Sequence, residues 1–323
     1  LSRITSKITP EGIATWTYDT ATNGIGKLAS LTATYLPGYS TNFSYDSLGR
    51  LSTKVTTVGG TPYTTNFTYD RSGRLASRTY PGSAPLTLNY QYAISGHLEK
   101  ILIPGGSPLT VWTALELSPY GTVQKEIFGD GGTSETIFDD LGRTVDNKNF
   151  DAALNLINDI QYQYDSMSRP LYRSDMALPS PNYEELDYQE PLQRLAHHRL
   201  CDISSTLCGG LNIMTYDSSG NILSKPTIGN YQYGLNGDGP HAVGSTTSGG
   251  TYDYDLNGNA IDFNGLQINW YSFNKPLSIV KSGTFVDTYN FTYDPSGRKI
   301  MQSKTRTLGS TDVSVYPEEE FER

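Results

Sequence analysis

The residues in this chain best equipped for chemistry lie mostly between positions 184 and 264. Cys201 and Cys208, the only cysteines, are separated by Asp202 to Leu207 and stand just downstream of His197 and His198. Three chemistries fit that spacing: a short disulfide loop in an exported protein, a zinc site of two His and two Cys, or two unpaired buried thiols. Neighbouring residues of a strand point to opposite faces, which makes joint ligation by His197 and His198 awkward, so no metal is assigned. Asp253-Tyr254-Asp255-Leu256-Asn257-Gly258-Asn259 imitates the first half of a calcium loop, but its twelfth position would be Asn264 rather than a bidentate Glu. Glu184, Glu185 and Asp187, with Glu318 to Glu320, are the acidic groups that acid-base catalysis would recruit. Nothing in the sequence orients them, and they read as a solvated face. His241, in Gly239-Pro240-His241-Ala242-Val243, reads as a turn or packing residue. No catalytic residue, cofactor site or enzyme activity is assigned.

The calcium-like segment belongs to a wider pattern. NFTYDRSGR at residues 66 to 74 returns as NFTYDPSGR at residues 290 to 298, with one letter changed. Five clean copies carry Tyr-Asp-x-x-Gly-Arg/Asn: Tyr45, Asp46, Gly49 and Arg50; Tyr69, Asp70, Gly73 and Arg74; Tyr216, Asp217 and Gly220; Tyr254, Asp255 and Gly258; Tyr293, Asp294, Gly297 and Arg298. Looser copies fill the gaps, at Tyr92 to His97, Leu117 to Val123, Phe138 to Arg143, Tyr164 to Arg169, Gln189 to Leu195 and Trp270 to Pro276. Successive copies lie roughly 16 to 38 residues apart, a period that marks a repeat architecture.

Each copy encodes a turn. Asp294-Pro295-Ser296-Gly297 places Asp first, Pro second and Gly fourth, the preferences of a type I turn. A fourth-place Gly at positive φ turns this into a hairpin loop with a bulge, which suits the twist of paired strands. The flanks Asn66-Phe67-Thr68-Tyr69 and Gln161-Tyr162-Gln163-Tyr164 alternate polar and aromatic with a strand's period. The register places Tyr69 opposite Leu75, with Asp70 near Arg74. Asn274 can replace Gly in the left-handed region, whereas Ser168 and Gln193 predict irregular turns. Tyr18 to Leu28 reads as the same hairpin with an enlarged tip. Gly59 to Pro62, Pro104 to Pro108 and Asn236 to Pro240 read as the turns at the opposite ends of the hairpins. Sequons such as Asn42-Phe43-Ser44 and Asn66-Phe67-Thr68 follow from the alternation.

Apolar content is 36% with 24 Tyr counted in, so aromatic residues must supply much of the burial in a sheet whose faces are both partly wet. No run of eighteen apolar residues exists, so no membrane span is expected. A net charge of −9 argues against nucleic acid as a partner. The repeat runs from residue 1 to 323 without a linker, and we read a single array. Leu1-Ser2-Arg3-Ile4-Thr5 matches the second half of a unit, like Leu75 to Thr79, so the array is expected to be a fragment of something longer.

Tandem Tyr-Asp-x-x-Gly-Arg units with Gly239-Pro240-His241-Ala242-Val243 between them resemble the YD repeats of Rhs proteins, a family that includes toxin-complex B and C components, wall-associated toxins and, more distantly, teneurins. The resemblance implies an all-β fold of tandem hairpins winding into a continuous, spiralling antiparallel sheet, part of a hollow shell. It further implies a secreted or cell-surface protein that scaffolds or encloses a C-terminal toxin or effector. The implied partners are the rest of its own polypeptide or another shell subunit, and the enclosed toxin domain. A teneurin-like adhesion module binding glycans or cell proteins is the alternative. Toxin-releasing members carry a self-cleaving segment that uses Asp residues; Asp294-Pro295-Ser296-Gly297 is read instead as an ordinary repeat turn, and the chain closes on Val315 to Arg323.

Overall fold

The computed structural model describes residues 3–189, 192–205, 207–307 and 311–315. Strand follows strand by antiparallel pairing: an 18-stranded sheet from Ser6–Thr9 to Asn212–Ile213, a four-stranded one from Thr215–Tyr216 to Val243–Thr246, and a seven-stranded one from Tyr252–Tyr254 to Thr311–Val315. Among the described residues the only helical element is the 3-10 turn Leu235–Gly237. No helix among them is long and apolar enough to cross a membrane. The reason for this uniformity is local. Each Tyr-Asp turn reverses the chain within six residues, and the alternating flanks extend from it as strands.

Tyr69 pairs with Leu75 across a bulge, and Tyr45 with Leu51, Tyr254 with Ala260 and Tyr293 with Lys299 in the same way. Asp19 N donates to Lys27 O at 3.0 Å, so the enlarged tip between Tyr18 and Leu28 closes as an ordinary unit would. One expectation is corrected. Asn236 to Pro240 does not mark the opposite end of a hairpin: Tyr233 pairs with Val243 and Gly234 N donates to Ala242 O at 3.0 Å, so this is another enlarged tip, with the 3-10 turn inside it. A tip accepts such an insertion because its backbone faces water.

The chain forms two compact units, residues 1–87 with 231–323, and residues 88–230. The first contains a true core, in which Leu31, Ala33, Tyr39, Val58 and Ile300 are buried together, so that the last hairpin lies on the sheet built by the first strands. Thr41, Thr56 and Thr65 are also almost fully buried there, and Tyr39 and Thr41 share a hydrogen bond of 3.0 Å. These β-branched side chains pack on a pleated sheet, which lets a chain with few aliphatic residues bury a face, although the buried Thr56 hydroxyl has no hydrogen-bond partner. In the second unit most strand residues are half-buried on both faces, and its buried apolar residues are Tyr90, Ala114 and Cys201.

Candidate functional site

The candidate site is the line of tips itself. In the Asp46 turn, Oδ1 accepts the backbone N–H of Leu48 at 2.9 Å and of Arg50 at 2.8 Å, while Oδ2 takes Nε and Nη2 of Arg50, both at 2.7 Å. Asp70 repeats this with Ser72 and Arg74, Asp139 with Leu141 and Arg143, and Asp165 with Met167 and Arg169. Where Asn replaces Arg, its amide takes the same place, at 2.9 Å from Asp217 to Asn221 and from Asp255 to Asn259. Burial pushes the Asp46 and Asp70 carboxyls up, but the N–H groups and the guanidinium outweigh it and hold both below the usual carboxylate range. At Asp139 the Arg143 guanidinium is itself the largest influence, and it acts downward. A charged carboxylate that accepts two N–H bonds and a forked guanidinium is a strong, purely local staple.

The tyrosine ties one hairpin to the one before it. Tyr45 OH donates to Leu28 O at 2.6 Å, Tyr69 OH to Leu51 O at 2.9 Å, Tyr164 OH to Thr144 O at 2.7 Å and Tyr216 OH to Leu195 O at 2.9 Å. In the first three cases the acceptor is the first residue of the preceding return strand, and Leu195 is the second residue of its own. The arginine of that preceding tip lies over the same ring, at 4.5 Å for Arg50 on Tyr69, 4.7 Å for Arg143 on Tyr164 and 4.6 Å for Arg194 on Tyr216. Each such stack contributes about 0.5–1 kcal/mol at a partly exposed site. Burial raises the Tyr45, Tyr69 and Tyr164 phenols above their ordinary pKa, so they remain donors at neutral pH.

The turns around Ser168 and Gln193 correct a second expectation. Ser168 takes φ 65°, yet Ser168 N still donates to Asp165 O at 3.1 Å and Asp165 N to Arg169 O at 3.0 Å. The Asp165 staple holds the serine in a left-handed conformation that it would not choose alone. Gln193 likewise has φ 55°, and Tyr188 pairs with Leu195 in the ordinary register; residues 190 and 191 lie outside the described residues.

Cys201 and Cys208 are bonded, with sulfurs 2.06 Å apart, closing the loop across an isolated bridge. His197 and His198 face different partners, Asp187 at 3.4 Å and Glu184 at 3.0 Å, so the strand separates them rather than joining them. The acids of this region are oriented after all, each by a base on a neighbouring strand. Glu184 meets Arg173 at 3.0 Å and Glu185 meets Arg199 at 2.6 Å, which corrects the reading of an unpartnered acidic face. Glu318 to Glu320 lie outside the described residues. In the calcium-like segment Asp255 staples its own turn and Asp253 accepts from Asn236 at 2.9 Å. His241 is exposed in its enlarged tip.

Three features escaped the sequence reading. Asp151-Ala152-Ala153-Leu154-Asn155 is a stapled turn at the opposite end of its hairpin, signalled only by Asp and Asn four apart. Asp146, Lys148 and Asp159 form an ion cluster, with Lys148 Nζ 2.5 Å from Asp146 and 3.9 Å from Asp159; burial pushes the Asp159 carboxyl up, and Asp146 adds to that. Finally, Glu11 receives Ser272 N–H and Ser272 Oγ–H, both at 2.7 Å, across 261 positions of sequence.

Residues 11–111 match the family model described as Teneurin YD-shell. No curated protein matches the chain in sequence. Among solved structures, TcdB2-TccC3 without its hypervariable C-terminal region is 15% identical with a TM-score of 0.69, over 96% of this chain and 18% of that one. TcdB2-TccC3 itself gives 14%, 0.66, 96% and 19%. A Photorhabdus luminescens Tc holotoxin pore carrying a TccC3 mutation gives 13%, 0.56, 96% and 20%. The chain therefore spans about a fifth of the length of the chains it matches. Stapled hairpins tied Tyr to carbonyl and Arg to Tyr are thus built on a fold that the chain shares with TcdB2-TccC3. Over residues 11–111 the chain is similar to the Teneurin YD-shell family, and over most of its length it shares the fold of these toxin-complex chains.

Proposed function

We propose that this chain is a structural segment of a YD-repeat shell that encloses a toxin or effector domain, within a secreted or cell-surface protein, and that it catalyses no reaction of its own. The observation that carries this reading is the tip lattice: the charged and aromatic residues of the motif are consumed in holding neighbouring hairpins together. The disulfide fits an oxidising compartment. Partners on this reading are the remaining windings, on the same polypeptide or another shell subunit, and the enclosed domain. The test is to express the chain together with whatever its reading frame encodes downstream, image the particles by electron microscopy, and treat them with protease. A closed particle that protects an internal segment is the expected result; an open particle with every segment cleaved at equal rates defeats the proposal.

The alternative, an adhesion module for glycans or cell proteins, is favoured by one feature of the second unit. Tyr172 and Tyr183, ring centroids 5.7 Å apart, share an open cavity of about 590 Å³ with Gln161, Gln163 and Ser174. Aromatic faces beside amides suit sugars. Saturable binding on a glycan array, lost in Tyr172→Ala, would favour that module over the shell.

A further inference from the structure

Two tips of the first unit are covered by their own chain. At the tip Tyr271-Ser272-Phe273-Asn274, Glu11 grips Ser272 through both carboxylate oxygens, and Lys7 Nζ lies 5.5 Å from the centre of the Phe273 ring. Phe273 and Pro295, from the next tip, line one cavity of about 210 Å³ with Thr9, Ala14 and Tyr35. The cover is thus another winding of YD sheet, and its acidic hairpin turn Thr9 to Gly12 meets the tip. In this packing an apolar side chain at a central turn position is the anchor and a hydroxyl beside it meets a carboxylate.

The tips of the second unit carry apolar side chains of the same kind, exposed at their surface. Ile94, Tyr120, Leu141, Met167 and Leu192 occupy central positions of five successive tips and are 53% to 108% exposed. Scattered exposed aliphatics are ordinary on protein surfaces, but five at the central turn positions of consecutive hairpins, four of them in the third place and Ile94 in the second, form an apolar rim. The rim is also rigid. Tyr120 OH donates to Asp140 O, Arg143 Nη1 to Asp165 O and to Ser168 Oγ, and Gln193 Nε2 contacts Met167 Sδ, so the last four of these tips are tied in sequence. Ser166-Met167-Ser168 reproduces Ser272-Phe273-Asn274 in detail: a serine, an apolar anchor and a residue at positive φ.

We propose that this rim is a docking edge for a further YD winding, which seats on it through carboxylate-bearing hairpin turns as Glu11 seats on Ser272. The inference rests on the shell reading and names the surface through which that shell would continue. The probe is a second copy of this chain, whose turns between Phe128 and Thr133 and between Phe150 and Leu156 carry Asp130 and Asp151. Analytical ultracentrifugation up to the solubility limit should show concentration-dependent association of the wild type. The double variant Leu141→Asp/Met167→Asp should weaken it at least about tenfold with unchanged thermal unfolding, and Leu141→Met should retain it. A photo-crosslinker replacing Met167 should capture peptides from those turns. A wild type that stays monomeric, association indifferent to the aspartates, crosslinks elsewhere, or flotation with neutral lipid vesicles in place of self-association would each overturn the proposal. A closed, protease-protecting particle from the full reading frame, seen alongside any of those results, would leave the shell standing and remove only this edge.

Discussion

NFTYDRSGR and NFTYDPSGR fold into the same turn and live in different surroundings. Both close with the same backbone bonds: Gly73 N reaches Asp70 O at 3.1 Å, and Gly297 N reaches Asp294 O at 2.8 Å. Yet the Asp70 side chain is 26% exposed and that of Asp294 only 5%, because the second copy is pressed into the core of its unit. The single changed letter sits where this matters. Arg71 points into water, whereas Pro295, at the same turn position, is buried. One turn needs solubility and the other needs an apolar, donor-free surface against a neighbouring sheet, so identical hairpin chemistry serves as an outer tip in one place and a buried anchor in another.

The comparison can be broken most forcefully at Ile300, which is 1% exposed, while its counterpart Ala76 is half-buried. Ile300→Ala should lower stability by about 2–5 kcal/mol, read from the midpoint of denaturant unfolding. Exchanging the odd letters comes next. Pro295→Arg should destabilise by about 1–3 kcal/mol by forcing a cation into a covered site, while Arg71→Pro should change stability by no more than about 0.5 kcal/mol. Equal effects of the two exchanges would show that burial does not separate the copies.

Gly73 has φ +81°, and the nearest atom to the position a Cβ would take is Arg50 Nη1 at 4.0 Å, so Gly73→Val tests mainly backbone strain. It should cost roughly 1 kcal/mol or more, and unchanged thermal unfolding would count against the bulged turn. The smallest effect concerns the clamp on the covered tip. Burial pushes the Glu11 carboxyl up, but the N–H and hydroxyl of Ser272 outweigh it and hold it at about 2 against an ordinary 4.5. A folded pKa below the unfolded one means that the contribution is complete above pH 4.5 and fades as the pH falls toward 2. Because Glu11 is only half-buried, that contribution is below about 1 kcal/mol, and Glu11→Gln should flatten stability over this window relative to wild type.

The hairpins and their order were legible because everything that makes them lies within a few residues. Asp, Gly and Arg close the turn at fixed offsets, and Tyr69 opposite Leu75 follows from counting. Where the reading failed, a neighbour had supplied what the local letters lacked. Ser168 is held at positive φ by the Asp165 staple, and Glu184 and Glu185 are oriented by bases on adjacent strands. The ties between hairpins, Tyr to carbonyl and Arg to Tyr, recur at the repeat's own spacing and were within reach of a reading that looked for pairs one period apart.

By itself, then, the order of amino acids determined that this chain is a succession of stapled antiparallel hairpins, since turn stereochemistry and strand alternation are short-range. Which tip is buried, that Ser272 meets Glu11, and that Ile300 joins Leu31 and Val58 were decided only by tertiary structure. The physical reason is that such contacts close loops of more than two hundred residues, and their partners depend on how the twist of every intervening strand accumulates.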